Sequence, residues 1–275
     1  MASSNRNNVI AFIGGGNMAS AIIGGLLREG TRAADIEVVE PFAQAREKLR
    51  SQFGVQARET ATGALDRAGL VLWAVKPQTF REAAQAAAPH VQSALHLSVA
   101  AGIRSERIAG WLATQRIVRS MPNTPALVGK GMTALFARAG VGEDDKRWVE
   151  QVIATTGEFL WVDTEADLDA VTALSGSGPA YVFYFLEAMT QAGIEMGLAR
   201  EQAHRLAVGT FVGASELARA SDDPPEVLRQ RVTSKAGTTH AAITSMEQDQ
   251  LKALFVKALH AARKRARELG DEFGG

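Results

Sequence analysis

The chain has 275 residues, 46% of them apolar, with 30 cationic and 30 anionic side chains. That length accommodates one large domain or two modest ones around a sizeable core, and the charge balance gives no electrostatic reason to expect a nucleic acid or an anionic membrane as partner. Cysteine is absent, which excludes disulfides, zinc–thiolate sites and cysteine nucleophiles.

The N-terminal stretch MASSNRNNVIAFIGGG has no apolar core long enough for a signal peptide. VIAFI at 9–13 is a short apolar run ending on glycines, which suits a buried parallel strand. Residues 17–29 follow with helical apolar spacing, and IEVVE at 36–40 reads as a second strand before a charged helix over 42–53. LVLWAV at 70–75 is another buried strand, stopped by Lys76-Pro77 and followed by a helix over 79–88. HLSVAAG at 96–102 reads as strand and turn, RIVRSMPNTP at 116–125 as a strand closing on a proline-rich loop, MTALFA at 132–137 as a strand, and 143–156 as a helix. This alternation predicts an α/β, Rossmann-like, doubly wound parallel sheet covered on both faces.

After Thr164 the pattern changes. Thr164 and Asp167 have capping-box spacing, and from there only helical periods occur. The expected domains are therefore a dinucleotide-binding half, 1–164, and an all-helical half, 165–275. Val182, Phe183, Phe185, Leu186, Met189 and Ile194 nearly encircle their helix. A helix apolar all round needs cover, and one small domain offers too little, so burial against a second subunit is expected. The charge-free run between Asp169 and Glu187 contains Ser175-Gly176-Ser177-Gly178-Pro179 and falls short of the ~20 apolar residues of a spanning helix. A cytoplasmic protein with no membrane partner is expected. Arg263, Lys264, Arg265 and Arg267 share a helix with Glu268 and read as a solvated face.

Gly14-Gly15-Gly16-Asn17-Met18-Ala19 has the spacing G-x-G-x-x-A between a strand and a helix. Gly14 permits the tight turn, Gly16 lets a pyrophosphate approach the backbone, and Ala19 lets the helix pack on the strand. The helix beginning at Asn17 and Met18 offers free amides to phosphates. Glu40, at the tip of the second strand, is placed to accept from a ribose 2′-hydroxyl and disfavours a 2′-phosphate; Arg46 is close enough to pair with one. The choice between NADP and NAD stays open. The backbone at Trp73-Ala74-Val75-Lys76-Pro77 and at Val99–Gly102 ends strands where ligands collect, and Asn123 can hydrogen-bond the cofactor.

The second half lacks the base that alcohol oxidation needs: no lysine occurs between Lys146 and Lys235, and His204 is the only histidine there. The histidines are scattered and suggest no metal site. Reduction of an imine has a smaller demand, because a substrate arriving as an iminium already carries its proton. VTSKAGTTHAAI at 232–243 suits that chemistry: amides of Gly237, Thr238 and Thr239 at a helix start can grip a carboxylate, and a threonine hydroxyl can reach a ring nitrogen.

FIGGGNMASAI (12–22), WAVKPQ (73–78), RSMPNTPALVGKGMTAL (119–135), LSGSGPAY (174–181) and VTSKAGTTHAAI (232–243), in this order, resemble the pyrroline-5-carboxylate reductases over almost the whole chain. The resemblance implies NAD(P)H-dependent reduction of 1-pyrroline-5-carboxylate to L-proline, a Rossmann domain followed by an all-α dimerisation domain, and homodimers that assemble further, commonly to decamers. It places the carboxylate-binding loop on Ser234, Gly237 and Thr238, and the hydroxyl facing the substrate nitrogen on Thr239. It places Ser177 at the start of a pocket-lining helix and Ala74, Lys76 and Asn123 against the cofactor. Rival readings are a reductase of another small cyclic imine and a catalytically silent, cofactor-sensing homologue. One departure stands out: many members have Ser-Pro-Gly-Gly-Thr-Thr where this chain has Lys235 and Ala236 in place of the proline and first glycine. Alanine is expected to be tolerated at 236, and Lys235 is expected to face solvent.

Overall fold

The protein is described by a computed structural model, in which residues 8–273 are described; the first seven residues of the N-terminal stretch read for a signal peptide lie outside them. The strands are β1 (Val9–Ile13), β2 (Ile36–Val39), β3 (Ala57–Arg58), β4 (Ala68–Trp73), β5 (Leu95–Ser98), β6 (Ile117–Met121), β7 (Gly131–Ala137) and β8 (Gly157–Trp161). They form one sheet in the order β3-β2-β1-β4-β5-β6-β7-β8. Helices α1 (Asn17–Arg28), α2 (Ala43–Phe53), α3 (Pro77–Ala87), α4 (Ser105–Leu112) and α5 (Glu143–Ala154) connect them, and the short α6 (Asp167–Val171) follows β8.

The period-two alternation of each central strand divides its side chains between two cores. Ile10, Phe12, Leu70, Leu72, Leu95 and Leu97 meet Ile22, Ile23, Leu26, Leu49, Val149 and Ile153 of α1, α2 and α5 on one face. Ala11, Ile13, Val71 and Trp73 meet Phe80, Ala84, Ile108 and Leu112 of α3 and α4 on the other. Burial on both faces is why β1 and β4 read as unbroken apolar runs.

One feature departs from the all-parallel expectation. β7 runs antiparallel to β6, with Met121 opposite Ala134, and β8 then pairs parallel with β7. Residues 122–130 between β6 and β7 hold only a 3₁₀ turn, Thr124–Val128. That link is shorter than the dozen residues a parallel crossover needs, so the chain reverses. β3, α4 and β8 are additions to the expected elements. The Thr164–Asp167 pair forms the reach-back half of a capping box: Thr164 donates its backbone N–H (3.1 Å) and its hydroxyl (2.8 Å) to Oδ2 of Asp167.

The expected boundary at 164 follows the change from strands to helices, whereas compact packing divides the chain after Ser177 and returns the segment from Ala262 onward to the first unit. Side chains explain the difference. Arg104 donates to both carboxylate oxygens of Asp169 (3.0 and 2.8 Å), and Glu165 accepts from the Ser105 N–H (2.6 Å), the Ser105 hydroxyl (2.7 Å) and Arg119 (2.7 Å). These bonds tie α6 to the sheet.

Residues 178–261 form the second unit. It holds α7 (Gly178–Glu195), α8 (Arg200–Arg219), α9 (Pro225–Arg231), α10 (Thr238–Gln248) and the first half of α11 (Leu251–Glu272). Gly193 lets α7 meet α8 closely: a Cβ there would stand 2.7 Å from that of Ala203. Among the described residues of α7 to α10, only Thr190, Gly193, Ala203 and Ala207 are buried. Phe183 is 58% exposed and Tyr184 70%. Helices this apolar without a core of their own need a covering partner. Among the described residues no helix is long and apolar enough to cross a membrane, and Arg265 of the basic run is paired with Glu272 at 2.6 Å.

Candidate active site

Gly14 lies between two strand ends. Its N–H donates to the Val39 carbonyl at 2.8 Å, its φ is +98°, and a Cβ would sit 2.6 Å from the Ala74 carbonyl oxygen. Gly16 is the N-cap of α1, and a Cβ built there meets nothing within 4 Å. No side chain caps this helix and no acid occupies its first turn, so the amides of Asn17 and Met18 open onto that space. A backbone cradle with uncapped N–H groups and room beside them fits the pyrophosphate of a dinucleotide.

Glu40 closes the cradle from the side of β2. Its Oε2 accepts the Gly15 N–H at 2.8 Å and its Oε1 the Phe42 N–H at 2.9 Å. Arg46 is not available in the way the sequence suggested. Its Nη1 donates to the carbonyls of Glu40 (2.9 Å) and Pro41 (2.7 Å), and its Nη2 pairs with Glu59 at 3.2 Å. Ala74 forms the facing wall through its carbonyl, and exposed Lys76 caps α3, where Pro77 takes the first helical position.

Asn123 does something the sequence did not reveal. Its Oδ1 accepts the Met132 N–H at 2.9 Å and its Nδ2 donates to the Ser175 carbonyl at 3.2 Å. The side chain thus braces a π-turn over Thr172–Gly176, closed by the Ser177 N–H on the Thr172 carbonyl at 2.8 Å. Such turns are common at functional sites because they re-aim the following residue; here that residue is Ser177. A Cβ on Gly176 would stand 2.5 Å from Cε of Met121, so the turn packs closely on the end of β6 and a larger residue there would make the Met121 side chain move. The bracing side chains Arg104, Arg119, Glu165 and Asp169 were missed. Burial pulls Arg119 below the usual guanidinium range against the opposing effect of Glu165; the Glu165 carboxyl, although burial pushes it up, is held below the usual range by Arg119 and Ser105. The one available signal was an arginine in the middle of the apolar strand Ile117–Met121.

In the second unit, Ser234, Gly237, Thr238 and Thr239 come together at the start of α10. Gly237 is its N-cap and donates to the Ser234 carbonyl at 3.1 Å. A Cβ on Gly237 would stand 2.6 Å from the Ser234 hydroxyl oxygen, so any larger residue there would turn the Ser234 side chain away from its present approach. No side chain caps α10 and its first turn carries no acid, which leaves amides and hydroxyls for an anion. Lys235 is exposed. Ala236 corrects the expectation of an untroubled alanine: its φ is +58°, in the left-handed region that costs a residue with a Cβ about 1 kcal/mol. Ala236→Gly is expected to leave the protein as stable or to stabilise it by up to about 1 kcal/mol in a denaturant titration, the strain relieved being partly offset by the backbone freedom glycine gains when unfolded; a loss of about 1 kcal/mol, the full entropic cost, would show that the alanine is unstrained.

The geometry can be set beside known proteins. Residues 165–269 match the family described as pyrroline-5-carboxylate reductase dimerisation, and residues 9–102 match NADP oxidoreductase coenzyme F420-dependent. The pyrroline-5-carboxylate reductase of Pseudomonas aeruginosa is 44% identical over 96% of this chain and 98% of its own length. The chain belongs to the pyrroline-5-carboxylate reductase family. An Arabidopsis thaliana pyrroline-5-carboxylate reductase is 35% identical over 95% of both chains. The structure of the Coxiella burnetii pyrroline-5-carboxylate reductase superposes with a TM-score of 0.89 at 37% identity, covering 96% of this chain and 99% of that one. The Plasmodium falciparum pyrroline carboxylate reductase, solved with NADP bound, superposes with a TM-score of 0.86 at 27% identity, covering 97% and 100%. As a pyrroline-5-carboxylate reductase family member the chain is a nicotinamide-dependent oxidoreductase with a Rossmann-like sheet and a helical dimerisation domain. α7 and α8, with their exposed apolar faces, lie within the residues matched to the dimerisation family.

Proposed function

We propose that this chain reduces 1-pyrroline-5-carboxylate to L-proline, the last step of proline biosynthesis, with residues 1–164 holding the dinucleotide and 165–275 the substrate. A bound NADPH or NADH supplies the hydride that adds to the C=N carbon. The chain's part is to hold and orient. Gly14, Gly16, Asn17 and Met18 cradle the pyrophosphate, and Glu40 the adenosine end. Ala74 and Lys76 flank the nicotinamide side, and Asn123 acts through the π-turn that presents Ser177. Ser234, Gly237 and Thr238 hold the substrate carboxylate, and the Thr239 hydroxyl faces the ring nitrogen. That nitrogen arrives protonated as an iminium and leaves as the secondary amine of proline, so no side chain has to give up a proton. The observation that carries the reading is the open start of α10, where Ser234 closes on Gly237 and no side chain competes for the amides.

The test is steady-state turnover with pyrroline-5-carboxylate and each reduced cofactor, followed as loss of nicotinamide absorbance; no turnover with either overturns the proposal. Thr239→Ala is expected to lower kcat about 10- to 100-fold while cofactor affinity changes less than about threefold. Unchanged turnover would remove Thr239 from its role. The dimers are proposed to assemble further, to a decamer, and the enzyme to work in the cytoplasm.

A further inference from the structure

Two opposing signals stand at the adenosine end of the cradle: an acid that disfavours a 2′-phosphate and an arginine that can welcome one. We infer that Glu40, held in place by the backbone, makes this chain selective for NADH over NADPH. The inference rests on the dinucleotide reading of the Gly14–Ala19 loop.

Glu40 is a fixed part of the cradle. It directly follows β2, whose Val39 pairs with Ile13 of β1, so it stands beside the glycine loop. Only 5% of it is exposed, and its two oxygens accept the Gly15 and Phe42 N–H groups at 2.8 and 2.9 Å. Gly15 packs against it so closely that a Cβ there would lie 3.3 Å from Cβ of Glu40 and 2.7 Å from Cδ1 of Leu49. A carboxylate has about four lone-pair sites, so each oxygen can still accept from a ribose hydroxyl. Swinging aside for a phosphate would strand two amide donors.

A 2′-phosphate, with a charge of about −1.5 to −2 at neutral pH, needs a cation to offset this carboxylate. After Glu40 the chain runs Pro41, Phe42, Ala43, Gln44 and Ala45, none of them cationic or hydroxylated. The first cation, Arg46, spends its guanidinium on the carbonyls of Glu40 and Pro41 and on Glu59. Arg58, whose carbonyl accepts the Glu40 N–H at 2.8 Å, turns its own side chain toward Glu37 at 3.7 Å. Lys48 opens onto an exposed groove with Phe42 and Gln44. The phosphate therefore meets a positioned negative charge, while the two arginines beside Glu40, Arg46 and Arg58, are directed to other groups and Lys48 is left as the one cation facing the groove. The relative solved with NADP and the family named for NADP describe those proteins; Glu40 is where this chain is inferred to part from them.

The experiment is calorimetric titration of the whole protein, without substrate, using NADH, NADPH, AMP and adenosine 2′,5′-bisphosphate. NADH is expected to bind at least about tenfold more tightly than NADPH, and AMP more tightly than the bisphosphate. Glu40→Gln, which keeps the shape and removes the charge, is expected to narrow the NADH preference to within about threefold. Equal or tighter binding of NADPH by the unaltered protein overturns the inference, as does an unchanged ratio in a folded Glu40→Gln variant. If that variant does not fold, the ratio in the unaltered protein decides alone. Selective NADH binding without reduction of pyrroline-5-carboxylate would sink the proposed reaction and leave this inference standing; binding of neither dinucleotide would sink both.

Discussion

Gly14→Ala is expected to lower affinity for a reduced nicotinamide dinucleotide by at least about 100-fold. Two penalties act at one position. The φ of +98° lies beyond even the small left-handed region open to alanine. The new methyl would also stand 2.6 Å from the Ala74 carbonyl oxygen, inside van der Waals contact with backbone that cannot rotate away. The loop has to shift, and its N–H to Val39 and the open space beside Gly16 shift with it. A loss of about 3 kcal/mol of binding is the expected scale. Calorimetric titration with NADH and NADPH measures it, and circular dichroism shows whether the sheet survives. Affinity within a few-fold of the unaltered protein would mean that the phosphates do not sit on this turn.

Gly237→Ala is the matching experiment in the helical unit, with the opposite pattern of effects. The φ of −82° is ordinary, so the backbone itself tolerates alanine. The obstacle is Ser234, whose hydroxyl oxygen and carbonyl would lie 2.6 and 3.2 Å from the added Cβ. Relieving that contact pushes Ser234 away from the first amides of α10 and opens the pocket proposed for the carboxylate. KM for pyrroline-5-carboxylate is expected to rise about 10- to 100-fold, as when charge-assisted hydrogen bonds are lost, while the dissociation constants of the dinucleotides stay within about twofold. A change in cofactor affinity with KM unaltered would reverse the assignments of the two loops.

What could be read from the residues differs from element to element for physical reasons. β1 and β4 were legible because strands buried on both faces are apolar throughout. The direction of β7 was not, since MTALFA reads the same either way and only the brevity of residues 122–130 forces the reversal. β3 is a two-residue pairing at the sheet edge with no pattern to detect. In the site, glycines announced their turn, and Glu40 could be placed at the tip of β2. Its grip on the Gly15 amide could not be, because that bond joins residues 25 apart in the chain. Asn123 shows the limit most clearly. It was read as a cofactor ligand from its place after β6, and the bonds it makes across the chain, one at each end of its amide, to Met132 and Ser175, could not be read from that place. Ala236 was expected to be tolerated; its positive φ follows from the loop's closure and not from its own identity.

The central claim is that the chain catalyses by holding an iminium that brings its own proton. The dependence of kcat/KM on pH tests this directly. If the claim is right, the rate falls with rising pH along the titration of pyrroline-5-carboxylate itself, measured without protein, and the curve is unmoved in Lys235→Met and His240→Asn, which remove the two titratable side chains of the substrate loop. A limb that belongs to neither substrate nor cofactor, and that vanishes in one of those variants, would show a side chain supplying the proton and would contradict the account.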